Sequence, residues 1–117
     1  MKKFDRTLYD RQAQIFKALA HPIRLFIVDE LSRSERCVCE LTEMVGVKMP
    51  TISRHLSILR SVGIIEEEKR GVQIYYKLVT PCVVNFFKCV AEVRRKSIQR
   101  ETKILNLRKA AAEKVHA

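Results

Sequence analysis

The chain has 117 residues, 47% of them hydrophobic and 31% charged, which is enough for one compact core and too little for two ordinary domains or a large enzyme scaffold. That balance excludes a disordered chain and one embedded in a membrane. With 23 Lys+Arg against 13 Asp+Glu the net charge is +10, which favours a polyanionic partner, either nucleic acid or an anionic membrane surface.

No run of roughly 18 apolar residues occurs, and Met1 to Asp5 lead into a charged amphipathic segment rather than an apolar signal core. The expectation is a cytoplasmic protein with no membrane partner. In that compartment its four cysteines, Cys37, Cys39, Cys82 and Cys89, are thiols rather than disulfides.

Leu8, Ile15, Phe16 and Leu19 share one helical face behind Asp5, a plausible cap. His21-Pro22 breaks that run and opens a second helix that turns Ile23, Phe26, Ile27 and Leu31 inward. After the polar stretch Ser32 to Arg36, Cys39 to Val45 read as a short helix stopped by Gly46. A tight turn from Gly46 to Met49 leads to a helix over Pro50 to Val62, with Ile52, Leu56 and Leu59 on its buried stripe and Gly63 at its end. Ile64 to Lys69 and Val72 to Leu78 read as strands joined at Arg70-Gly71. Thr80-Pro81 then starts a long helix with Val83, Phe87 and Val90 on one stripe. Past Arg94 its apolar content thins, and the segment from Lys96 to Ala117 is expected to fray.

A short helix, a turn, a polar-faced helix and a β-hairpin follow the order of a winged helix-turn-helix, a mainly α fold with a small β-hairpin. The second short helix leaves Thr51, Ser53, Arg54, His55 and Ser57 on its other faces, with Lys48 just before it. All can reach phosphates or base edges in a major groove. Lys69 and Arg70 at the hairpin tip, with Gln73 and Tyr75 on its polar face, suit a wing along the backbone or in a minor groove. For any one of these residues a merely solvated face is an equal reading; the combination in a basic chain favours DNA. The acidic run Glu66-Glu67-Glu68 opposes phosphate contact locally, so the basic tip has to project beyond it.

Cys37-Val38-Cys39 supplies two thiolates, the softest common protein ligands, which suit As(III), Sb(III), Cd(II) or Pb(II); a buried hydrophobic pair is the alternative. Residues two apart on an α-helix point about 200° apart, so regular helix cannot offer both to one ion. Cys82 and Cys89, seven apart, share a helix face but lie about 10 Å apart along its axis, so one chain cannot offer both to one ion. Either remains a candidate further ligand or a core thiol. His21 and His116 are conceivable zinc ligands, with His21 read as structural. Arg94-Arg95-Lys96 and Arg100 read as a solvated helix end rather than a phosphate patch. An enzyme is not expected: Cys-x-Cys is not Cys-x-x-Cys, and neither a βαβ pattern nor a Gly-rich cofactor loop accompanies it.

Ala18-Leu19-Ala20-His21-Pro22-Ile23-Arg24, Cys37-Val38-Cys39-Glu40-Leu41 and Ile52-Ser53-Arg54-His55-Leu56 together resemble the ArsR/SmtB family of metal-responsive repressors over about residues 8–95, its arsenic-sensing branch most of all. The resemblance implies a homodimer on two-fold, double-stranded operator DNA, released when an inducer binds. It implies DNA reading by Lys48, Thr51, Ser53, Arg54 and His55, and a dimer interface made by the first and last helices. Residues 1–95 would then be the DNA-binding and dimerisation domain and 96–117 a basic helical extension. As(III) or Sb(III) is the expected inducer, with Cys37 and Cys39 as ligands; Cd(II), Pb(II) or Zn(II) sensing and a thiol redox switch are the alternatives. One position departs from the branch, which commonly carries a third cysteine where this chain has Thr42.

Overall fold

The computed structural model describes residues 1–116, with side chains through residue 114; Ala117 and the His116 side chain, which figure in the sequence expectations, lie outside the described residues. Residues 1–81 form one compact unit and the chain from Cys82 onward a second.

In the first unit, α1 spans Arg6–Leu19 and α2 spans Pro22–Leu31. Asp5 caps α1, its carboxylate accepting from the Leu8 N–H at 3.2 Å. His21 caps α2 in the same way, Nδ1 accepting from the Ile23 N–H at 3.1 Å, with Pro22 in the first turn where no donor is needed. The chain continues through β1 (Arg36–Cys37), α3 (Val38–Val45), α4 (Met49–Ser61), β2 (Ile65–Arg70) and β3 (Gln73–Leu78). Gly46 ends α3 at φ 79, a left-handed value that costs glycine little, and its N–H closes on the Thr42 carbonyl at 2.9 Å.

The core lies where α2, α3, α4 and the sheet meet. Ile27, Val28, Leu41, Ile52, Leu56, Leu59 and Ile65 are its fully buried side chains, each contributing roughly 1.5–3 kcal/mol by leaving water. Two inward faces differ from the helical periodicity. On α2, Val28 is buried and Phe26 stands 37% exposed. On α1 only Ala18 and Leu19 are buried, while Leu8, Ile15 and Phe16 are at least 40% exposed, because within this chain only the C-terminal end of α1 meets the core.

The sheet has three antiparallel strands in the order β1-β3-β2. With two residues, Arg36 and Cys37, β1 is too short to show an alternation in the sequence. The hairpin turn lies one residue later than expected, at Gly71-Val72. Gly71 has φ 63 and no non-glycine residue among the described residues has positive φ, the sign pattern of a type II′ turn, whose twist matches the flanking strands.

The second unit is α5, Val83–His116, helical without a break across residue 95. It begins after a turn through Pro81 and Cys82, the Asn85 N–H donating to the Cys82 carbonyl at 3.0 Å. Thr80-Pro81 therefore precedes the helix rather than forming its first turn.

Candidate nucleic-acid interface and thiol pair

α4 is amphipathic, and its register decides which side chains are presented. Ile52, His55, Leu56 and Leu59 face inward, whereas Lys48, Ser53, Arg54 and Ser57 are exposed and Thr51 is half-buried. Ser53 and Ser57 are four apart and Arg54 and Ser57 three apart, so these donors share a face. The helix dipole adds a partial positive charge at the Lys48 end, although Pro50 has no N–H and that of Thr51 bonds to the Lys48 carbonyl at 3.0 Å.

His55 departs from the expected open face. It is 9% exposed, its ring lies 4.4 Å from that of His21, and its Nδ1 is 3.3 Å from Nη1 of Arg24. Arg24 also donates to the Lys17 carbonyl at 3.4 Å. Burial, followed by the positive charges of His21, Arg24 and Arg54, pushes the His55 imidazole below its ordinary range. Position 55 falls between Ile52 and Leu59 on the inner stripe, so the ring joins α4 to α2.

The wing carries Lys69, Arg70 and Gln73, all exposed. Its acidic run is neutralised from within: Glu66 pairs with Lys77 at 3.1 Å, Glu67 with Arg60, and Glu68 with Arg70 at 3.0 Å. The Tyr76 hydroxyl also donates to Glu67 at 3.2 Å. Arg70 is further engaged by Glu35, and its guanidinium lies 4.6 Å from the centre of the Tyr75 ring. Its carboxylate partners hold its proton even more tightly than usual.

The two thiols of Cys37-Val38-Cys39 sit in unlike places. Cys37 is buried at the end of β1 and is the residue that caps α3, while Cys39 is exposed in the first helical turn. Only Cys39 is therefore in regular helix. Oε1 of Glu40 accepts from both the backbone N–H and the thiol of Cys37, each at 3.2 Å. The backbone bond, with the Cys37 side chain accepting from the Glu40 N–H, makes a capping box with cysteine where serine or threonine is usual. Burial pushes the Cys37 thiol up. Hydrogen bonds from Arg36 first, then from Cys37, hold the Glu40 carboxyl below its usual range. Arg36 binds Glu40 at 2.9 Å and the buried Glu30 at 3.1 Å, so the cap is tied to α2. The thiol of Cys39 points to Oε1 of Gln73 at 3.5 Å.

The donors fit a thiophilic ion in part. Cys37 and Cys39 supply two soft ligands, and among the described residues no group of three His, Cys, Asp or Glu gathers. Cys82 and Cys89 are exposed, the first just before α5 and the second within it. Thr42 spends its hydroxyl on the Val38 carbonyl, 2.7 Å away. The pattern Cys37-x-x-Glu40 carried the signal for the capping box; no spacing signal marked the Glu35–Arg70 and Arg24–His55 pairs, which are distant in sequence.

A two-helix motif with a basic outward face, backed by a third helix and followed by a β-hairpin, defines a winged helix-turn-helix regulator, a class of DNA-binding proteins and not of enzymes. Residues 21–67 match the bacterial regulatory protein, arsR family. The chain is 38% identical over 73 residues to the transcriptional repressor SmtB of Mycobacterium tuberculosis, covering 62% of this chain and 54% of that protein. It is 44% identical over 66 residues to the arsenical resistance operon repressor of Escherichia coli, covering 56% of each. Among solved structures, it resembles the homodimeric winged helix-turn-helix DNA-binding domain of a possible ArsR-family transcriptional regulator from Mycobacterium bovis. That match has 32% identity and a TM-score of 0.71, over 84% of this chain and 93% of that one. The chain belongs to the ArsR family. It spans about half the length of the SmtB and arsenical resistance repressors it matches.

Proposed function

We propose that the protein is a cytoplasmic, homodimeric transcriptional repressor that binds double-stranded operator DNA and leaves it when As(III) or Sb(III) is captured by Cys37 and Cys39. The observation that carries this reading is the position of Cys37: it is the cap of α3, and α3 packs on α4, whose exposed Lys48, Ser53, Arg54 and Ser57 form the basic face. Thr51 at the edge of that face and Lys69, Arg70 and Gln73 on the wing complete the DNA surface; His55 acts from inside, by positioning α4. Residues 1–95 would carry DNA binding and dimerisation, with 96–117 a basic helical extension. Similarity to the arsenical resistance operon repressor supports the choice of inducer.

The bound ion would supply soft, largely covalent bonds to thiolate sulfur. A Cys37 sulfur so engaged would no longer donate to Glu40, whose hold on the cap residue would then rest on the Cys37 backbone N–H alone. A first turn of α3 so loosened would pack less firmly on α4, and the two reading helices of a dimer would lose their spacing on successive major grooves. Full release requires about 5.5 kcal/mol of differential binding between the two states, a demand that falls mainly on the sulfur bonds. The apolar side chains exposed on α1 and α5, such as Leu8, Ile15, Val90 and Val93, suit burial in a homodimer like that of the Mycobacterium bovis domain. A second copy can bring Cys82 or Cys89 as the third donor.

Electrophoretic mobility shift on DNA carrying the operator tests the reading, with As(III), Sb(III), Cd(II), Pb(II) and Zn(II) titrated under reducing conditions. Release by As(III) or Sb(III) at the lowest concentration is expected; release by Cd(II), Pb(II) or Zn(II) alone moves the inducer within the same fold. A redox switch is the second reading, favoured by the presence of two thiols without a third donor among the described residues. It requires release by oxidant, recovery with dithiothreitol, and no response to As(III) in reductant.

A further inference from the structure

The wing's most prominent cation is already bound. Arg70 is the last residue of β2, paired in register with Gln73 across the Gly71-Val72 turn, where a wing would meet DNA. Its guanidinium engages Glu35, a residue 35 positions earlier in the chain, as well as Glu68 on its own strand. The two contacts differ in consequence. Glu68 moves with the hairpin, whereas Glu35 sits immediately before β1 and joins the wing to the segment that carries Cys37 and Cys39. That segment also holds the wing through the β1–β3 pairing of Cys37 with Tyr75 and through the contact of Cys39 with Gln73.

Glu35 and Glu68 both take Nη2 of Arg70, so a phosphate that claims this nitrogen, as a two-pronged contact does, has to displace a carboxylate from it. Both Arg70 and Glu35 keep 42% of their side-chain surface in solvent, so the pair is reachable by DNA and weak enough to open.

We propose that Glu35 is an internal competitor for DNA: it occupies Arg70 in the free protein, and the wing grips a backbone phosphate only when Arg70 exchanges Glu35 for it. The inference rests on the DNA-binding reading above but not on the identity of the inducer. The exchange sets a threshold for wing engagement. It also makes closure of the Glu35–Arg70 pair and binding of the wing to phosphate mutually exclusive, so a change in the thiol segment that presses Glu35 onto Arg70 favours release.

The test uses the full-length protein and a fluorescently labelled duplex of arbitrary sequence, because phosphate contacts do not depend on base sequence. Binding is measured across a salt series for wild type, Glu35→Gln, Arg70→Gln and the double variant; all substitutions are on exposed side chains and leave the core untouched. Glu35→Gln is expected to tighten binding about two- to five-fold, the range of an exposed ion pair. In the Arg70→Gln background the same substitution is expected to change nothing. If Glu35→Gln binds no tighter than wild type, or if its gain persists undiminished without Arg70, the competition does not exist and Glu35 acts at most through the general field. Failure of wild type to bind any duplex at low salt contradicts the DNA-binding reading itself, a result distinct from either.

Discussion

His55 on α4 meets Arg24 on α2 with Nδ1 and Nη1 3.3 Å apart. A ring so placed is buried between α4 and α2, against the His21 ring, rather than on the open face of α4. The residue therefore reports on stability.

Because the native His55 imidazole titrates below its ordinary value of 6.5, the unfolded chain binds its proton first as pH falls. Its full contribution is present above pH 6.5, declines as pH drops below that value, and levels off once the native ring is also protonated. Thermal unfolding from neutral to acid pH is expected to show this loss in wild type and a flatter profile in His55→Gln. Parallel profiles would mean that the ring is not held neutral.

Arg54 is exposed on the outward face of α4 and has no ion-pair partner among the described residues. Arg54→Ala is expected to weaken specific binding by about 1–3 kcal/mol if it contacts a base, with relaxed preference at one operator position. Lys69→Ala on the wing should weaken binding to all sequences alike and reduce the salt slope by about 1. Unchanged binding in both variants would remove α4 and the wing from the interface.

Serine is a better N-cap than cysteine, and Glu40 is already in place to complete its capping box. Cys37→Ser is therefore expected to fold with unchanged or slightly raised stability, while Cys37→Ala should lose about 0.5–2 kcal/mol. Chemical denaturation of the two variants separates the structural part of this residue from its thiol. Equal stability of serine and alanine variants would mean that the cap contributes nothing.

Burial and the hydrogen bond to Glu40 protect Cys37, whereas Cys39 is open to solvent. At neutral pH iodoacetamide is expected to label Cys39 well before Cys37, followed by mass spectrometry of the peptide that contains both. Equal rates would contradict the buried position of Cys37.

Local sequence signals located most of the fold. Pro22 after His21, Gly46 and Gly63 as stops, and the alternation through β3 mark elements within one or two residues of where they lie. β1 escaped because a two-residue strand is formed by its partner: Arg36 and Cys37 are extended through pairing with Tyr76 and Tyr75. Histidine is polar by composition, so the sequence alone assigns His55 to the open face, yet Arg24 and His21, distant in sequence, give its ring a buried partner. The geometric objection to Cys37 and Cys39 sharing an ion assumed that both were helical. With Cys37 as the cap, its sulfur is set by the strand and by Glu40, neither of which periodicity can reveal.

Cys37 and Cys39 are the proposed trigger, and the most direct measurement is fluorescence anisotropy of labelled operator DNA titrated with As(III) in reductant, for wild type, Cys37→Ser and Cys39→Ser. The expected result is tight binding by all three before addition, release of wild type alone, and no release of either variant at concentrations that empty the wild-type complex. Release of both variants at the wild-type concentration would contradict the account and move the sensor to other residues.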